Sequence, residues 1–243
     1  IMHGCYEMEC ALNESAVDEN SLQMEQYILH SVALLLPVSE RYSQIIQEKY
    51  PFCKGKTAYL HNGVEKINLE HGKVQREKGR IIAVGGDRKL KNNITVAKAM
   101  AKLGADRVLT VYGHLYHPNN LPQGKNIEFK GLVPQTQLYE EMQKSELYIL
   151  NSVYEPFALS VYDALLCGCS VLITNVAGAL ELLNVTEHDV IFDPMDENEI
   201  ANKIDYLLEN PNNTRLMSSL DFNKISYKAE VEKLENYCNQ LCN

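Results

Sequence analysis

The sequence predicts an α/β fold, a parallel sheet with helices on both faces, and three observations carry that prediction. From Arg80 onward, short apolar runs of strand length alternate with helical stretches of about ten residues, the pattern that crossover connections impose. The run Leu147 to Leu150 is apolar throughout, as a strand buried on both faces must be. The chain has 243 residues and 45% hydrophobic content, enough to bury a core of that kind.

Taken in order, Asn13 to His30 is acidic at its start and is expected to form one helix, and Val32 to Val38 is expected to be a β run. Ser39 is a suitable N-cap for a helix running to about Lys49, which Pro51 stops. Thr57 to His61 is expected as a short strand ending in the turn Asn62-Gly63. Glu65 to Gly79, rich in Lys and Glu, is a linker or surface segment. The regular part follows: strand Arg80–Val84, helix Ile94–Leu103, strand Arg107–Tyr112, strand Asn126–Phe129, and helix Thr136–Lys144. Strand Leu147–Leu150, helix Phe157–Leu166 and strand Ser170–Thr174 then form one unit, with Gly168 closing the helix in the left-handed conformation. Strand Val190–Phe192, helix Asp196–Leu208 and two helices beyond Pro211 complete the chain.

Composition excludes several classes of function. A formal charge of −9 argues against binding nucleic acid or an acidic membrane through the net field, although local basic clusters can still hold phosphates. No segment reaches the roughly 18 apolar residues of a membrane span, and no signal peptide is visible. The seven cysteines show no C-x-x-C spacing, and no histidine pairs with them at ligand spacing, so buried free thiols are expected and a metal site is not. The chain does not open on methionine, so the expectation is a fragment.

Parallel sheets bind ligands beyond the carboxyl ends of their strands, so the loops after the strands hold the candidate site. The first, GGDRKLKNN, joins the permissive Gly85 and Gly86 to three cations, Arg88, Lys89 and Lys91, ahead of a helix. It is neither a Walker loop nor G-x-G-x-x-G; a diphosphate site and a solvated basic turn are equally compatible with it. Gly113 opens the second loop, where a ligand could approach backbone. In the third, Leu132 and Val133 could lie against a flat ring, or be core. In the fourth, Glu155 precedes the amides of Phe157, Ala158 and Leu159, an arrangement suited to a polyhydroxy ligand or to simple helix capping. Asp163 is harder to explain. Its helical neighbours four residues away, Leu159 and Cys167, offer no ion pair, and an apolar helix makes a bare carboxylate costly.

Together these loops resemble glycosyltransferase family 4, a group of retaining GT-B enzymes. EPFALSVYDALLCG is similar to that family's E-P-F-G-L-x-x-x-E-A-x-x-C-G signature, and LHNGVE to its I-P-N-G-V-D crossing segment. GGDRKLKNN stands at the place of G-R-x-x-x-x-K-G, and FKGLVPQTQLYEEMQKSELYILNS follows the run F-x-G-x-V, L, Y, A-D, S. The resemblance covers Leu60 to Leu208; it implies a Rossmann-like donor-binding domain over 65–225. Residues 1–64 would then be a remnant of the N-terminal acceptor domain with the crossing segment, and 226–243 a helix returning toward it, with Tyr227 and Tyr237. His3-Gly4 is similar to the cleft histidine of the N-terminal half.

The resemblance implies transfer of a sugar, of the hexosyl type, from a UDP- or GDP-sugar to an acceptor hydroxyl of a saccharide or lipid-linked saccharide, without cofactor or metal. Arg88 and Lys91 would neutralise the diphosphate, with Gly86 and Gly113 lining its approach and Leu132 and Val133 the base pocket. Glu155 would contact the donor sugar, the amides of Phe157, Ala158 and Leu159 its hydroxyls and phosphate, and Asp163 the ribose. The sequence departs from the family at Asp163 for Glu, Ala158 for Gly, and Lys91, two positions before the usual lysine, where Asn93 stands. A cytoplasmic location follows, extending to the inner face of the membrane if the full-length protein associates peripherally. The fragment alone is expected to be inactive. Two other readings share these motifs: a non-catalytic nucleotide-sugar-binding module, and a phosphorylase or epimerase on the same scaffold.

Overall fold

The computed structural model describes residues 1–67 and 74–242. Six strands, β1 (Arg80–Val84), β2 (Val108–Tyr112), β3 (Ile127–Lys130), β4 (Leu147–Leu150), β5 (Ser170–Thr174) and β6 (Val190–Ile191), form one sheet in the order β3-β2-β1-β4-β5-β6. Every pairing is parallel, as the expected α/β class requires. The strand order reverses between β1 and β4, so the loops that follow those two strands leave the sheet side by side.

Ten helices accompany the sheet among the described residues: α1 (Tyr6–Asn13), α2 (Glu19–Ser31), α3 (Glu40–Lys49), α4 (Asn93–Met100), α5 (Gln135–Lys144), α6 (Leu159–Leu166), α7 (Glu197–Glu209), α8 (Asn213–Ser219), α9 (Phe222–Ile225) and α10 (Tyr227–Cys242). Helices α4 and α7 bury Val96, Ala97, Met100, Ile200 and Ile204 on one face with Ile81, Ala83 and Leu109 of the strands. The other face packs Met142 of α5 and Val161, Tyr162 and Leu165 of α6 around Tyr148. That second cluster continues without a break into Cys5, Leu29, Val38, Tyr42 and Ile46, so the N-terminal segment shares its core with the sheet.

Three expectations are corrected. Asn13 to His30 is not one helix: Glu14 takes a left-handed φ of 52° and ends α1, and the Asp18 side chain then caps α2 by accepting from Ser21 N at 2.8 Å. Val32 to Val38 and Thr57 to His61 are extended but make only isolated parallel bridges, Leu35 with Thr57 and Met2 with Pro37. The β-rich composition is satisfied there by burial of Leu35, Leu36 and Val38 rather than by a strand ladder. The chain beyond Pro211 forms three helices, because Asp221 caps the extra turn α9, accepting from Asn223 N at 3.1 Å. Part of the expected linker, residues 68–73, lies outside the described residues. Five cysteines are buried free thiols as expected, whereas Cys238 and Cys242 are exposed on α10.

Candidate functional site

Sequence dictates the shape of the first loop through its glycines and asparagines. Gly86, at φ 60°, and Gly113, at φ 136°, lie back to back, and a Cβ on either would collide with backbone of the other loop. Gly85 and Gly86 both donate their amides to Tyr112 O, at 2.8 and 2.9 Å. Asn93, which is buried, holds the loop from inside by donating to Gly86 O at 2.9 Å. That position is therefore structural, and Lys91 is the loop cation that lies against the glycines. Its side chain lies over Gly85, where a Cβ would stand 2.6 Å from Lys91 Cγ.

Across the strand-order reversal, Lys91 Nζ forms an ion pair with Glu155. Both side chains are largely buried, and Ser152 Oγ also donates to Glu155 Oε2, at 3.2 Å. A buried pair of this kind is held by geometry more than by net attraction, since desolvation offsets most of the Coulomb gain. Its value here is positional: a cation and a carboxylate from two loops are fixed at one spot. Arg88 stands beside them, half-exposed, with Nη2 3.7 Å from Glu9 Oε2. Lys89 pairs instead with Glu14.

The segment after Glu155 is built to open a helix N-terminus. Pro156 O accepts from Ser39 Oγ at 2.7 Å, and Phe157 O accepts from Ala179 N at 2.7 Å. The Phe157 ring is buried near His61 and Tyr162, so its side chain belongs to the core and only its backbone can face a ligand. Ala158 is the N-cap of α6 at φ 79°, and no side chain caps the helix. The first amides of α6 thus remain donors for a ligand. A left-handed alanine costs about 1 kcal/mol. Ala158→Gly is accordingly expected to raise the unfolding free energy by about 1 kcal/mol in urea denaturation.

Leu159, the first residue of α6, is partly exposed beside this turn. Leu132 projects from the loop between β3 and α5 with 74% of its surface exposed, while Val133 packs against the core. Gly131 O accepts from Gly113 N at 3.4 Å, which links the second and third loops.

Asp163 keeps the anomaly seen in the sequence. Among the described residues no hydrogen bond or ion pair holds its carboxylate. Burial pushes its pKa up from 3.8 to about 6. The folded pKa thus exceeds the unfolded one, so this residue's contribution to stability is full below about pH 4 and is lost as the pH rises through about 6. Asp163→Asn should stabilise the chain by about 1 kcal/mol at alkaline pH, after discounting for solvent screening, and by nothing near pH 4. Thermal melts across that pH range check the prediction.

Several residues that shape the site went unnoticed in the sequence. Asp87 accepts from Tyr116 N at 2.7 Å and His117 N at 2.6 Å, which folds the loop after β2 around the basic turn. Glu181 accepts from Glu40 N and Arg41 N at the start of α3 and from His61 Nε2 at 2.9 Å, fastening the N-terminal segment beside the Glu155 loop. Glu9 comes from α1, far from any motif. The only sequence signal for Asp87 was a carboxylate inside a basic run; Glu9 had none. Among the described residues, no group of three or more His, Cys, Asp or Glu side chains is placed to hold a metal ion, and no helix is long and apolar enough to cross a membrane.

The six-stranded parallel sheet flanked by helices matches that of GT-B glycosyltransferases. Residues 66–221, more than half of the chain, match the family described as Glycosyl transferases group 1, and the chain belongs to that family. It is 26% identical over 186 residues to the N-acetylgalactosamine-N,N'-diacetylbacillosaminyl-diphospho-undecaprenol 4-alpha-N-acetylgalactosaminyltransferase of Campylobacter jejuni, covering 72% of this chain and 51% of that protein. The chain therefore spans about half the length of this relative. Its fold is similar to that of sucrose-phosphate synthase from Thermosynechococcus elongatus, with a TM-score of 0.72 at 20% identity over 99% of this chain and 66% of that one. TarM of S. aureus, solved with Fondaparinux, alpha-GlcNAc-glycerol and UDP, gives a TM-score of 0.74 at 17% identity over 93% of this chain and 48% of that one.

Proposed function

We propose that this chain is the donor-binding half of a retaining glycosyltransferase of family 4, which moves a hexosyl group from a UDP- or GDP-sugar to an acceptor hydroxyl. The observation that carries the reading is the Lys91–Glu155 pair at the strand-order reversal, with Arg88 and the uncapped amides of α6 beside it. In this reading the sugar–oxygen bond to the diphosphate breaks, and the charge that gathers on the departing phosphate oxygen meets Arg88, Lys91 and the α6 amides. The acceptor hydroxyl attacks the anomeric carbon from the face the diphosphate leaves, and its proton passes to the leaving phosphate oxygen. Glu155 holds the donor sugar, Asp163 the ribose hydroxyls, and Leu132 with Val133 the base. Gly86 and Gly113 line the approach of the diphosphate through their backbone. The reaction uses no cofactor or metal.

The division into 1–64, 65–225 and 226–243 belongs to the same proposal, as does an acceptor-binding half supplied by further chain. The Campylobacter jejuni relative is named for a diphospho-undecaprenol-linked acceptor, which favours a lipid-linked saccharide here and work at the inner face of the cytoplasmic membrane. A second reading, a non-catalytic nucleotide-sugar-binding module, is favoured by Ala158, which puts a methyl group where the family usually has glycine. A thermal-shift screen of nucleotide sugars tests the shared part of both. A ligand at 100 times its dissociation constant adds about 2.7 kcal/mol, so a UDP- or GDP-sugar should raise the melting temperature visibly. No shift with any nucleotide sugar at millimolar concentration would sink both. Sugar transfer by this chain alone would rule out the module.

A further inference from the structure

Glu9 lies on α1, outside the sheet, yet its carboxylate is turned into the proposed donor site. Its Oε2 is 3.7 Å from Arg88 Nη2, and the charged groups that face it are Arg88 and Lys91 from the loop after β1, Glu155 from the loop after β4 and Glu25 from α2. Gly4 makes the space for it, because a Cβ at that position would overlap Glu9 Oε1. The N-terminal segment thus places an anion against a half-exposed cation of the basic loop.

Each cation of the basic loop already faces a carboxylate. Lys91 is met by Glu155, Lys89 by Glu14, and Arg88 by Glu9. An arriving diphosphate adds negative charge next to these carboxylates, and at such distances like charges repel strongly in a partly dry site. Glu155 cannot give way, since it is 10% exposed and held by both Lys91 and Ser152. Glu9 can: 36% of its side chain is exposed, and among the described residues its carboxylate makes no hydrogen bond, only the long ion pair with Arg88. Burial raises the pKa of Glu9, with Arg88 and Lys91 opposing and Glu155 and Glu25 reinforcing, so the carboxylate is not in a comfortable resting place.

We infer that Glu9 is a displaceable counter-ion, occupying Arg88 in the unliganded protein and leaving as the diphosphate of a nucleotide sugar arrives. Donor entry is thereby gated by the N-terminal segment rather than by the donor loops alone. The inference rests on the donor reading above.

The test is a calorimetric titration of UDP and of GDP into the wild-type chain, Glu9→Gln and Gly4→Ala. Glu9→Gln keeps the size of the side chain and removes its charge, and should bind the nucleotide about tenfold more tightly. Gly4→Ala leaves the charge in place but pushes the carboxylate out of its cradle, and it decides the matter in the same direction should Glu9→Gln fail to fold. Unchanged or weaker affinity in Glu9→Gln, with wild-type binding intact, overturns the gate and leaves the donor reading standing. No binding by any of the three chains overturns both.

Discussion

Asp189→Ala is expected to lower the unfolding free energy by about 3 kcal/mol. The carboxylate is fully buried. It accepts from Thr186 N at 2.6 Å, Asn212 Nδ2 at 2.7 Å and Arg215 Nη2 at 2.7 and 2.8 Å. Burial alone would raise its pKa, but the donors from Asn212, Thr186 and Arg215 together outweigh it and hold the carboxyl below the usual range. Asn212 in turn binds Val171 of β5 through both ends of its side-chain amide, accepting from Val171 N and donating to Val171 O, so the cluster joins β5, the entry to β6 and α8. Removing the carboxylate strands buried donors rather than merely deleting a contact, which is why the cost is high. For a chain of this length the melting temperature should fall by roughly 6–12 °C. A calorimetric melt checks it.

Arg88→Ala has the largest expected effect on binding. A charge-assisted hydrogen bond to phosphate contributes about 2 kcal/mol, so nucleoside diphosphate affinity should fall roughly thirtyfold. Stability should scarcely change, because Arg88 is half-exposed and its one ion partner among the described residues, Glu9, is a long 3.7 Å away. Lys91→Ala would be a poorer probe, since it also strands the largely buried carboxylate of Glu155. Equal affinity for wild type and Arg88→Ala would remove the arginine from the site.

The alternation of strands and helices was legible because the central strands are mostly apolar and most turns carry glycine, proline or asparagine. The order of the strands was not. Nothing local tells a parallel strand which neighbour it will take, and the reversal between β1 and β4 is what brings Lys91 to Glu155 across 64 residues of sequence. Asp163 was legible for a negative reason: its helical neighbours could not pair with it, and in the fold nothing described does. The break at Glu14 was hidden because glutamate is a good helix former, and only the packing of α1 on the basic loop makes a left-handed residue there worthwhile. The extended run at Val32 to Val38 misled through composition, since β-branched and aliphatic residues serve a buried irregular segment as well as a ladder. Glu9 was invisible because its relation to Arg88 is purely tertiary.

Titration of UDP and GDP into the wild-type chain by isothermal calorimetry asks whether the loops at the reversal point hold the diphosphate of a nucleotide sugar. Saturable heat with one of them, falling away in Arg88→Ala, is the predicted result. An absence of heat with both nucleotides at millimolar concentration would contradict it.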